Sequence, residues 1–76
     1  MEVQTLPVRA EIPGTVADVV VVVGTVVEAG ATLVLLESMK MEIPVLAPRA
    51  GLLRRVVVGV GDRLQQGDLV AVLELT

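Results

Sequence analysis

At 76 residues the chain is long enough for one small domain, spanning residues 1–76. With neither cysteine nor histidine, it must hold together without disulfides or a His/Cys zinc site. A net charge of −3 and the lack of any Phe, Trp or Tyr argue against nucleic acid as a partner, because phosphate is repelled and no ring is available for base stacking.

No purely apolar stretch is longer than Val19–Val23, which is far short of a membrane span, so no membrane partner is expected. Met1-Glu2-Val3 has no basic or continuous apolar character that would mark a signal peptide, and a cytoplasmic location is expected. No His, Cys or aligned acid–base set points to catalysis or to a metal site.

Valine dominates the apolar residues, and its branched Cβ fits a pleated surface better than a helix. Seven glycines and four prolines cut the apolar runs into short pieces. In chain order the strands are expected at Val8–Glu11, Thr15–Val22, a short piece at Val26–Val27, and Thr32–Glu37. The second half follows with Met41–Leu46, Leu52–Val58, a short piece at Arg63–Leu64, and Leu69–Leu75. No stretch has the 3.6-residue periodicity and caps of a helix.

Shifted by 37 residues, the sequence matches itself. Gly14 falls on Gly51, Val19-Val20-Val21 on Val56-Val57-Val58, Val23-Gly24 on Val60-Gly61, Gly30 on Gly67 and Leu36-Glu37 on Leu73-Glu74. Valine on valine is weak support in a Val-rich chain. Glycines matching at three turns in one register are stronger. Neither half has a second layer against which to bury its apolar face, but two packed face to face do. The expected fold is all-β: a flattened barrel-sandwich of two antiparallel sheets with a pseudo-twofold internal repeat.

The halves join at Glu37-Ser38-Met39-Lys40-Met41-Glu42. If the flanking strands pair as a hairpin, the chain must turn within about two residues, where Asn-Gly or Gly-X is the usual solution. Other turns carry glycine, but this one has Met39-Lys40. Lys40 is also the single lysine, against five arginines. A strand continuing through Lys40, with Met39 and Met41 on one face, is the bland alternative. The place of Lys40 between two matching repeats favours the exposed turn, and a turn rule broken at one position marks a functional site.

Glu37-Ser38-Met39-Lys40-Met41-Glu42 resembles the biotinyl motif of biotin carboxyl carrier proteins, usually Glu-Ala-Met-Lys-Met. The likeness runs from about Glu11 to Leu75. It is particularly marked to small stand-alone actinobacterial biotinylated proteins. Ser38 replaces the commoner Ala, and Val19–Gly24 leaves no room for the thumb loop of some carriers.

The resemblance implies covalent biotin on Lys40, attached by a biotin protein ligase. It further implies a swinging arm that moves a carboxyl group from biotin carboxylase to a carboxyltransferase acting on an acyl-CoA. That is the carrier role of an acetyl-CoA or other acyl-CoA carboxylase, as in fatty acid biosynthesis. The carrier itself would not be an enzyme. Met39 and Met41 would then flank the modified lysine as an exposed, adaptable docking surface. Glu37, Ser38 and Glu42 would help partners recognise the hairpin rather than hold the fold.

Two other readings share the fold. A lipoyl carrier typically has Asp before its lysine and Ala after it, and Met on both sides favours biotin. A structural barrel-sandwich module of a membrane-fusion adaptor would sit among long helical hairpins, for which this chain has no segment. The offset of 37 further places Lys40 and the end of the second repeat at opposite ends of the sandwich.

Overall fold

The computed structural model describes residues 3–75. Eight strands follow in order: β1 Thr5–Arg9, β2 Gly14–Val19, β3 Val26–Val27, β4 Thr32–Ser38, β5 Met41–Leu46, β6 Gly51–Val56, β7 Arg63–Leu64 and β8 Leu69–Leu75. They build two antiparallel four-stranded sheets, β1-β8-β6-β3 and β5-β4-β2-β7.

The repeat extends to the whole strand set. An offset of 37 turns β2 into β6, β3 into β7, β4 into β8, and β1 into all but the first residue of β5. It relates irregularities too. The bulge between Val16 and Asp18 recurs between Leu53 and Arg55. Loop hydrogen bonds recur as pairs: the Val20 amide donates to the Leu33 carbonyl as Val57 does to Val70, and Gly30 donates to Ala47 as Gly67 does to Ala10.

The halves do not each form one sheet, as face-to-face packing of two repeats would require. Each sheet takes two strands from either half. After Val19 the chain leaves its sheet, and the Gly24 amide bonds the Leu53 carbonyl in the opposite one. That crossing ends β2 at Val19 and β6 at Val56, short of the expected Val22 and Val58. Sheets in a sandwich lie about 10 Å apart, a gap that these few connecting residues bridge. Val22 is 74% exposed, so the run of valines is partly a surface crossover.

β1 begins at Thr5 rather than Val8 and contains Pro7. Pro44 is its counterpart in β5. Both strands are sheet edges, where a missing N–H costs no ladder bond and discourages pairing with another chain.

Alternation along the strands, broken by register shifts at Leu33 and Val70, sends Val16, Leu33, Val34, Leu36, Leu53, Val70, Ala71 and Leu73 into the space between the sheets. No polar or charged side chain is buried among the described residues. The core is therefore purely aliphatic, held by packing alone.

Candidate functional site

β4 and β5 pair from Thr32↔Leu46 to Ser38↔Met41, leaving Met39 and Lys40 as a two-residue loop. Their φ values are 51° and 64°. Positive φ at both central residues is the type I′ turn, whose twist matches that of the paired strands. They are the only non-glycine residues with positive φ among those described; Gly24, Gly30, Gly61 and Gly67 provide the others. A left-handed residue with a Cβ costs roughly 1–2 kcal/mol, so this hairpin holds strain that glycine would relieve.

The strain displays three long side chains. Met39 is 90% exposed and Met41 59%, which rules out the alternative of Met39 as a core residue. Lys40 is exposed as well. No hydrogen bond or ion pair engages its amine among the described residues. A free primary amine on a flexible stem at the tip of a rigid hairpin is suited to acylation.

Glu37 and Glu42 pair directly across the hairpin, and both are exposed. Like charges opposed across strands are mildly destabilising. The pseudo-twofold shows what is missing here. Glu74, the counterpart of Glu37, binds Arg54 Nη1 at 2.9 Å and faces Thr5. At the hairpin end Ala17 and Glu42 occupy the positions corresponding to Arg54 and Thr5. The acids beside Lys40 are thus left without the cation that the other end provides. Ser38 is half-buried opposite Met41.

The register adds two residues that the sequence reading did not single out. Thr15 pairs with Glu37 on one side and Arg63 on the other, so Arg63, Thr15, Glu37 and Glu42 form one row across the outer face of the sheet. No local motif announces Thr15 or Arg63; only strand pairing brings them beside the hairpin.

Gly14 holds the hairpin from below. A Cβ there would lie 2.9 Å from the Glu37 carbonyl oxygen, closer than real Cβ contacts come. Leu75, the last described residue, pairs with Gly51, which pairs with Val27 where β3 turns towards β4. β4 then runs seven residues away from that end to reach Ser38. At about 3.4 Å per residue, Lys40 stands roughly 20 Å or more from Leu75, at the opposite end of a molecule whose longest extent is 43 Å.

The family model described as biotin-requiring enzyme matches residues 6–73, nearly the whole chain. The chain belongs to the biotinyl domain family. It is similar to the biotinylated protein TB7.3 homolog of Mycobacterium leprae, with 59% identity over 66 residues, 87% of this chain and 93% of that protein. Against pyruvate carboxylase of Staphylococcus aureus the identity is 40% over 67 residues, covering 88% of this chain and 6% of the enzyme.

Among solved structures, a single-chain, multi-domain long-chain acyl-CoA carboxylase superposes with a TM-score of 0.88 at 39% identity, covering 95% of this chain and 7% of that one. The biotinyl domain thus spans nearly the full length of a small biotinylated protein and a small fraction of large biotin-dependent carboxylases. It is similar to one short segment of those carboxylases.

Proposed function

We propose that the chain is a biotin carboxyl carrier, with biotin joined to Lys40 by an amide bond. The observation that carries this reading is the strained, glycine-free turn presenting the single lysine, unpaired and exposed, at the tip of the sandwich. The Lys40 amine is the group that a biotin protein ligase would acylate. Biotin bound there would supply a ureido nitrogen able to hold a carboxyl group. The rigid β4–β5 hairpin carries the arm forward, and its remoteness from Leu75 leaves it free to enter a recessed active site.

The arm would serve biotin carboxylase and then a carboxyltransferase acting on an acyl-CoA, in the cytoplasm. An acyl-CoA acceptor is in line with the 41% identity over 64 residues to a biotin-dependent acyl-coenzyme A carboxylase alpha3 subunit of M. leprae, a likeness comparable to that with pyruvate carboxylase. Met39 and Met41 offer an apolar, adaptable contact to unlike partners. Glu37 and Glu42 mark the hairpin with unneutralised charge.

Co-expression with a biotin ligase tests the assignment. Intact mass should show one added biotin on the wild-type chain and none on Lys40→Arg. Biotin on the variant, or none on the wild type, overturns it. Feeding labelled lipoate in parallel separates the lipoyl alternative.

A further inference from the structure

Between the edge strands β1 and β5 the two sheets leave a groove of about 350 Å³. At its hairpin end the walls are Ile12, Leu36, Ile43 and Pro44, with Arg9 and Glu11 as the charged lining. A second hollow of about 320 Å³ along the same seam holds most of the counterpart residues, including Pro7, Val8 and Ala10. The repeat is broken where the groove nears Lys40: Ile12 and Ile43 stand where the other half has Arg49 and Leu6.

Ile43 is three residues from Lys40 along β5, about 10 Å. The lysine side chain, the amide and the five-carbon tail of biotin together make roughly ten bonds, about 12 Å when extended. A ring system on that arm reaches Ile12, Ile43 and Pro44, whereas Ala47 and Pro48 at the far end of the groove lie beyond it.

We propose that this groove is a resting site for the rings of biotin carried by Lys40. The inference rests on Lys40 being the attachment point. The chemistry is complementary: the thioether side of biotin is apolar, like Ile12, Ile43 and Pro44, and its ureido side offers N–H donors and an oxygen acceptor. The Glu11 carboxylate accepts from a ureido N–H. The Arg9 guanidinium, which spends one donor on the Gly67 carbonyl at 3.0 Å, has others for the ureido oxygen. Tethering supplies an effective concentration in the millimolar range, so even weak intrinsic affinity populates the docked arm. Docking would cover an apolar ring between transfers and oppose its capture until a partner competes for it.

Methyl-resolved NMR of the unmodified and biotinylated chain tests this, with intact mass confirming one biotin. Docking should shift the Ile12, Ile43 and Val45 methyls and leave those of Val26 and Val60 unmoved. Ile12→Arg, which installs the residue of the other half, should keep the amide spectrum of the folded domain. It should abolish those shifts and speed capture of the biotin by streptavidin about threefold or more, as the free-arm fraction rises. Shifts confined to residues 38–42, or unchanged capture in a folded Ile12→Arg, overturn the resting site while leaving Lys40 as the attachment point. Absence of the biotin mass overturns both.

Discussion

Met39 and Lys40 hold a left-handed conformation that Asn-Gly would adopt with far less strain. Relieving it shows what the site costs. Met39→Asn with Lys40→Gly should stabilise the fold by about 1–2 kcal/mol, a rise of several degrees in Tm for a domain of this size, while abolishing acylation. Thermal unfolding followed by far-ultraviolet circular dichroism measures the gain; a lower Tm would contradict the strain argument. Replacing both methionines with Leu should leave biotin attachment near wild type but impair carboxyl transfer, because Leu lacks the adaptable thioether. Equal loss in both assays would show that the methionines serve the ligase instead.

The two glutamates belong to the same scale. Since Glu37 and Glu42 oppose each other without a cation, converting either to Lys should change stability by well under 1 kcal/mol, in either direction. The same change should slow modification by the ligase. Unfolding of either variant would make these residues structural.

At the scale of elements, β2 supports the hairpin through a contact that admits no side chain. Gly14→Ala forces its Cβ against the Glu37 carbonyl, and strands β2 and β4 must separate locally. A loss of about 1–3 kcal/mol is expected, with amide shifts concentrated in Leu36–Lys40. Gly30→Ala provides the contrast: open space surrounds its Cβ, and the cost there comes from a φ of 88° alone. Shifts spread evenly over the molecule after Gly14→Ala would show that the contact is not specific to the hairpin.

The whole molecule depends on an aliphatic core between two thin sheets. With no cysteine for a disulfide and no buried polar side chain among the described residues, a domain of this size holds only on the order of 3–5 kcal/mol. Leu53 is completely buried at the centre of its sheet, paired with Leu73. Leu53→Ala should cost about 2–5 kcal/mol and leave much of the population unfolded at 37 °C. Circular dichroism and amide dispersion report this directly, which matters in a chain without tryptophan or tyrosine. A cooperative fold persisting within a few degrees of the wild-type Tm would mean that the core collapses around the vacancy.

Much of this was legible in the one-dimensional pattern. The period of 37, the valines, the turn glycines and the single lysine determined an all-β duplication with Lys40 at its junction. The short strands at Val26–Val27 and Arg63–Leu64 and the bounds of β5 and β8 came out residue for residue, because glycines or turns flank them closely. What strand pairing alone decides was not legible. Leaving Val19, the chain could stay in its sheet or cross. Valine propensity favours extended backbone equally in both cases, and only bonding of Gly24 to Leu53 selects the interleaved sheets. For the same reason the sequence places the start of β1 at Val8 instead of Thr5, since its register depends on β8, 60 or more residues away. The pairing of Glu37 with Glu42, the row through Thr15 to Arg63 and the groove beside Ile43 likewise exist only once distant strands are brought together. Sequence determines which residues have the chemistry and the local turn; tertiary pairing determines their neighbours, because a strand's partners are set by packing across the core and not by the residues beside it in the chain.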